Sequence, residues 1–434
     1  MRSTKPLLFV LLLAGAGLAQ AMPAIEHWTL PNGARVYYAH APQLPMVDAH
    51  VVFDAGSARD EGKPGRALLT NALLAEGAGG LDADAIAGRF EDVGASFGND
   101  ALRDMSYFSL RTLTEPRLMA QAVETAALVL NRPDFPPQAI ERERSRVLVG
   151  LRRQEQSPEA IAEKAFYRAV YGKHPYAEPP IGSEASIKAL TRDDLRGHYR
   201  RYFVGRNATI AIVGAVDRAT AERLAATLVG KLPAGEAPPP LPAPPAAQPG
   251  EPLRVTFPSA QTHLLVGQRG MRRVDPDYFA LYVGNHVLGG SGFTSRITKA
   301  IREERGFAYS AYSYFTPMAV EGPFIMGLQT ATANRDEALA VLRATLAEFV
   351  AEGPTAAELE ASKKNITGGF PLRIDSNSDI VQYLAVIGFY RLPLDYLEKF
   401  NQHVEAVTAE QIRDAFQRRI RPEAMTVVSV GAAS

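Results

Sequence analysis

Residues 190–215, LTRDDLRGHYRRYFVGRNATIAIVGA, return near the end of the chain as residues 407–432, VTAEQIRDAFQRRIRPEAMTVVSVGA. The first copy opens at Thr191 with acids behind it, a helix-start signal. Its apolar run over 208–213 reads as a closing strand. Other pairs extend the match: residues 339–351 resemble 118–130, and a helical pattern over 278–288 followed by Gly289 and Gly290 echoes residues 66–80. Self-similarity on the scale of half a chain marks a duplication. With strands and helices mixed in each half, the fold class is α+β in two duplicated domains.

Between the halves, residues 238–249 read PPPLPAPPAAQP, uncharged and rich in proline, the composition of a semi-rigid strap that forms neither helix nor interior strand. The domain division that follows is 1–21 as an export signal, 22–233 as the first domain, 234–250 as the linker and 251–434 as the second domain. Within the first domain, strands are expected on either side of Pro31-Asn32-Gly33, over 46–55 and over 106–113. Helices are expected over 66–76, 84–93 and 116–130, then one long helical pattern from Pro136. The 66–76 helix is apolar nearly all round and therefore buried.

The chain has 434 residues, 46% of them hydrophobic and 22% charged, with zero net charge. That is ordinary for a folded chain of two or more domains. No basic block is present, which argues against nucleic acid and against anionic membrane surface as partners. The start, MRSTKPLLFVLLLAGAGLAQA, sets Arg2 and Lys5 before a short apolar run and ends Ala19-Gln20-Ala21, the pattern of a cleavable signal. Without cysteine there is no disulfide, lipid attachment or thiolate metal site. The expected location is a bacterial periplasm, off the membrane once the signal is removed.

One stretch carries legible chemistry: residues 288–312, LGGSGFTSRITKAIREERGFAYSAY. Gly289, Gly290 and Gly292 form a loop, 295–304 reads as a helix stopped by Gly306, and 307–315 alternates as a strand. Arg302 at the helix end and Tyr309 on the strand are thereby turned toward each other. A guanidinium and a phenol both donate hydrogen bonds and neither needs deprotonation, so the pair suits a peptide carbonyl.

Together the GSARDE loop (56–61) before a buried helix, GRNATIAIVGAVD (205–217) and the 288–312 stretch resemble the insulinase and pitrilysin family of inverted-motif (inverzincin) zinc peptidases, in its short-chain, dimer-forming branch. The resemblance spans essentially the whole mature chain. It implies domains of the metalloenzyme LuxS/mitochondrial-processing-peptidase-like type, forming half of a clamshell. Family members carry H-x-x-E-H on the buried helix, where histidines at i and i+4 hold zinc and the glutamate activates water. Set against that motif, this chain has Leu68 and Ala72 at the histidine positions, Asn71 at the base and Gly150 where the third ligand falls. Leucine, alanine and glycine have no side-chain lone pair to offer a metal, and an asparagine amide cannot take a proton from water. The eight histidines, at 27, 40, 50, 174, 198, 263, 286 and 403, offer no other pair at helical ligand spacing.

What the resemblance leaves intact is Arg302 and Tyr309, which in the family reach substrate backbone and the developing oxyanion across to the metal site. Gly289, Gly290 and Gly292 read either as a close passage for substrate backbone or as a tight turn. An edge strand over 96–103, next to the 105–113 strand, is the family's place for an added peptide strand. The expectation is a non-catalytic subunit of a heterodimeric periplasmic zinc metallopeptidase. It has no cofactor of its own, and zinc sits in an H-x-x-E-H-bearing partner. Its substrates are unfolded or short peptides. The alternative is a structural or peptide-binding scaffold of the same family without a catalytic part.

Overall fold

The computed structural model describes residues 24–246 and 250–433. The expected signal, 1–21, and residues 247–249 of the strap lie outside the described residues. The first half supplies β1 (Ile25–Thr29), β2 (Arg35–His40), β3 (Met46–Phe53), a short hairpin of β4 (Gly77–Ala78) and β5 (Leu81–Asp82), β6 (Ser96–Ala101), β7 (Ser106–Leu113) and β8 (Ala208–Gly214). The second supplies β9 (Leu253–Thr256), β10 (Gln261–Arg269), β11 (Ala311–Phe315), β12 (Pro323–Ala331) and β13 (Thr426–Gly431).

The duplication is visible strand for strand. The first sheet runs β1-β2-β8-β3-β7-β6, and the second, counted from its other edge, runs β9-β13-β10-β12-β11. β1 is the one addition. In both sheets a single parallel pair, β2 with β8 and β9 with β13, sits beside antiparallel neighbours. The repeated helices keep their caps as well. Thr191 and Asp194 close a capping box on Arg192–Tyr202, as Thr408 and Gln411 do on Ala409–Arg419.

β8 is buried along its whole length, which is why ATIAIVG reads as an unbroken apolar run rather than an alternation. Its two faces are covered from different halves of the chain. One faces the first core, with Ile210 and Ile212 among Leu69, Leu73 and Phe108. On the other, Ala211 and Val213 join Tyr37, Ala39 and Val52 in a cluster with Val381, Leu384 and Ile387 from the helix Asn377–Tyr390. The second sheet is covered reciprocally: the helix Pro158–Tyr171 lays Phe166, Tyr167 and Tyr171 against Leu265, Ile325, Val428 and Val430. Glycines permit the close approach. A Cβ on Gly388 would stand 2.5 Å from Thr209 Cγ2, and one on Gly267 would stand 3.0 Å from Phe166 Cζ. Each half thus lends one helix to the sheet of the other.

At the junction Asp104 is buried and accepts hydrogen bonds from the Tyr176 hydroxyl, from Ala319 N at 2.8 Å and from the Tyr390 hydroxyl at 2.8 Å, so that four segments meet on one carboxylate. The strap crosses this junction and is tied to it. His174 Nε2 lies 3.0 Å from Pro242 O, Arg269 donates to Pro244 O at 3.1 Å, and Leu241 packs on the third cluster. Its described residues are mostly exposed, but Pro244 is buried.

Four expected elements differ. The long pattern from Pro136 is two helices, Pro137–Gln154 and Pro158–Tyr171, because Ser157 caps Ala160 N and proline follows it at the first helical position. The 66–76 helix ends at Ala72. The helix expected over 295–304 is one α-turn, Arg296–Thr298, continued by a π-helical turn, Lys299–Glu303, while the strand expected from 307 begins only at Ala311.

Candidate functional site

The helix that would carry zinc is held firmly. Asp60, in the loop before it, accepts from Gly65 N at 2.8 Å and Ala67 N at 2.7 Å, and Arg66 reaches back to Arg59 O at 2.7 Å and Glu61 at 3.0 Å. Leu69 and Leu73 face the core, fully buried, while Leu68 and Ala72 lie one turn apart on the less buried side. Asn71 is itself a structural pin. Its Nδ2 donates to Tyr107 O at 3.3 Å, and its Oδ1 accepts from Asn99 Nδ2 at 2.8 Å, so it ties the helix to β7 and to an edge strand, β6. Gly150 stands half-buried on Pro137–Gln154, where an added Cβ would meet Ile181 Cδ1 at 3.4 Å. The buried carboxylate of that helix is Glu143, two turns away and paired with Arg146; burial raises its pKa. These residues do not fit a zinc ion, and no group of three or more His, Asp or Glu among the described residues does either.

The second half has the open site. A cavity of about 680 Å³ is lined by the three loop glycines, by Arg302 and Tyr309, and by side chains from Tyr278–Asn285 and β11. Two π-helical turns bound it, His286–Gly290 and Lys299–Glu303, the second carrying Arg302. Turns of this kind are frequent at functional sites. Gly306, with φ +64°, ends the second turn, its N bonded to Arg302 O at 3.0 Å and Phe307 N to Ile301 O at 2.9 Å. These bonds hold 306–307 in the helix cap, so Tyr309 lies in the loop before β11 rather than on a strand.

Arg302 and Tyr309 do come together. The guanidinium carbon lies 4.5 Å from the ring centre of Tyr309 and 4.5 Å from that of Phe293. Its side chain makes no ion pair or hydrogen bond among the described residues. Tyr309 is 82% exposed and Phe293 66% exposed, large for aromatic side chains. Phe293 was not singled out by sequence, although it stands beside Gly292 in the quoted stretch. The arrangement presents a clamped guanidinium with free donors and a free phenol at the rim of a cavity.

The glycines separate by role. A Cβ on Gly289 would fall 2.3 Å from Ser313 Oγ and 2.5 Å from Ser313 N, so its absence lets the turn lie on β11. Gly290 would meet Asn285 Nδ2 at 2.9 Å, whereas Gly292 has φ +61° and open space around it, the geometry of a turn residue. The outward carbonyls of β11 are occupied: Asn285 Nδ2 donates to Ser313 O at 3.0 Å and Thr298 Oγ1 to Ala311 O at 3.1 Å. β11 therefore does not offer those carbonyls to an added strand. β6 is one of the two edge strands of the first sheet, β1 being the other.

Two duplicated α+β units, with Leu68 and Ala72 on a short helix in the first and an arginine–tyrosine rim in the second, define a peptidase-type half clamshell. Family models agree with that class: insulinase (peptidase family M16) matches residues 35–184, and peptidase M16 inactive domain matches 189–366. A solved M16 inactive-domain structure from Pseudomonas fluorescens superposes with TM-score 0.92 at 38% identity, covering 94% of this chain and 98% of that one. Among curated relatives, a non-peptidase homologue of Helicobacter pylori is 26% identical over 93% of this chain and 94% of its own length. An uncharacterised zinc protease of Mycobacterium leprae is 29% identical over 88% of this chain and 86% of its own. The chain belongs to the insulinase (M16) family. The inactive-domain matches and the non-peptidase relative support a non-catalytic member.

Proposed function

We propose that this chain is the non-catalytic subunit of a heterodimeric periplasmic zinc metallopeptidase. It closes a peptide chamber and presents Arg302 and Tyr309 to substrate bound at the zinc site of an H-x-x-E-H-bearing partner. The observation that carries the reading is the rim itself: a guanidinium clamped between Phe293 and Tyr309 with its donors unspent, beside a cavity. Substrates are unfolded or short peptides, selected by whether they fit. The zinc belongs to the partner, and the first 21 residues direct export.

The test is copurification from the native host, identification of the partner by mass spectrometry, and reconstitution on an unstructured peptide. Tyr309→Phe keeps the ring and removes one donor, so assembly is retained while turnover falls by about two to three orders of magnitude, the usual worth of one oxyanion donor. Arg302→Lys loses the planar fork and also lowers turnover. Full activity in both variants reduces the chain to a wall of the chamber.

A further inference from the structure

The cavity beside Arg302 has an electrostatic character that holding a neutral carbonyl does not require. Three guanidinia line it, those of Arg273, Arg302 and Arg373, and no aspartate or glutamate does. None of the three forms an ion pair among the described residues. Two are braced by tyrosines one helical turn apart. Arg273 Nη1 donates to Tyr278 Oη at 3.3 Å and Arg373 Nη1 to Tyr282 Oη at 3.0 Å, and the two rings stack with centres 6.1 Å apart and planes 10° from parallel. Arg273 is further fixed against the Tyr390 ring, 5.5 Å away, and its buried Nε has no hydrogen-bond partner. The adjoining cavity of about 480 Å³ shares Arg273, Tyr278, Tyr282 and Arg373. Its one acid, Asp379, is engaged by Ser376 at the start of the Asn377–Tyr390 helix.

A guanidinium has five donors, and a phenol oxygen occupies one of them. A concave site lined by one sign of charge concentrates the opposite sign, and guanidinia pair with carboxylates by two parallel hydrogen bonds. We infer that Arg273 and Arg373, held by Tyr278 and Tyr282, form a carboxylate-binding subsite that selects peptides bearing an anionic group. That group is either the carboxyl terminus or an acidic side chain. Arg302 adds to the field from the rim, and the aromatic walls of Tyr312, Tyr314 and Phe315 accommodate the neighbouring peptide side chains. The inference rests on the reading of this cavity as the wall of a peptide chamber.

The experiment uses the mature chain alone and three short unstructured peptides labelled at the amino terminus, followed by fluorescence anisotropy. One is neutral with an amidated end, one neutral with a free carboxyl end, and one carries glutamates with an amidated end. At least one carboxylate-bearing peptide binds about tenfold more tightly than the neutral amide, and which one does so identifies the source of the carboxylate. Arg373→Gln, at an exposed position, removes that preference and leaves the neutral amide unchanged. Arg373→Lys restores part of it. Equal affinity for all three peptides, an Arg373→Gln loss shared equally by all three, or no saturable binding by any overturns the assignment. Neither partner nor turnover enters the measurement. Failure to find a zinc-bearing partner therefore leaves this result standing, and equal affinities leave the role of Arg302 and Tyr309 in the assembled enzyme untouched.

Discussion

Gly388→Ala tests the helix exchange directly. The new methyl would sit 2.5 Å from Thr209 Cγ2 and 2.6 Å from Tyr37 Cε2, where carbon atoms in contact prefer about 3.5–4.0 Å. The Asn377–Tyr390 helix must therefore retreat by about 1 Å, loosening Val381, Leu384 and Ile387, all fully buried. Thr209 and Tyr37 lie on buried strands and have little room to yield. Overpacking of this kind costs about 3 kcal/mol at its upper end. Alanine returns about 1 kcal/mol of helix propensity, leaving a net loss of about 2 kcal/mol. Gly197→Ala is the internal control: it lies mid-helix with nothing within 4 Å of the added Cβ, so the same substitution there stabilises by up to about 1 kcal/mol. Urea unfolding followed by far-UV circular dichroism and by the fluorescence of Trp28, the single tryptophan and a residue of β1, reads both. Trp28 belongs to the first sheet, so its transition moves when the helix from the far end of the chain is disturbed. If Gly388→Ala proves as stable as Gly197→Ala, or if the Trp28 transition stays in place while the dichroism shifts, the helix is not a structural part of the first sheet.

After dialysis the purified chain holds far less than one zinc per molecule by elemental analysis; one tightly held zinc per chain contradicts the assignment of Leu68, Asn71, Ala72 and Gly150. Limited proteolysis of the exposed strap near residue 246 gives two fragments on a denaturing gel that still elute together under native conditions, and fragments that separate in native buffer argue against the exchanged helices. Burial holds the pKa of His198 down to about 3, with its Nε2 3.1 Å from Ala55 O. The unfolded chain takes up a proton at about pH 6.5 and the folded chain does not, so this residue's contribution is complete above pH 6.5 and is lost as pH falls toward 3. His198→Gln therefore flattens the fall of stability between pH 6 and 4 by about 1.4 kcal/mol per pH unit, and unfolding curves that stay parallel to the wild type refute it.

The sequence shows the duplication because caps and closing strands are local: Thr191 and Thr408 start their helices, and the apolar runs of β8 and β13 follow at matched distances. It shows the rim pair for the same reason, since Gly306 stops the turn that carries Arg302. The break between the helices at 154 and 158 was written in Ser157-Pro158 and obscured by the continuous apolar period on either side. The exchange of helices was not legible. The apolar face of Phe166 and Tyr171 says only that something covers it, and nothing local distinguishes a sheet of the same half from one of the other. Arg273 and Arg373 are not legible as site residues because they lie far from Arg302 in sequence, and only the folded second half gathers them at one cavity.

The late position of the Asn377–Tyr390 helix sets an order of events at the ribosome. Strands β2, β3 and β8 are all present once Gly214 has emerged, but the face carrying Tyr37, Ala39, Val52, Ala211 and Val213 receives its cover only when residues from 377 onward appear. At about 5–20 residues per second that interval lasts roughly ten to thirty seconds, during which an apolar sheet face is open to water and to neighbouring chains.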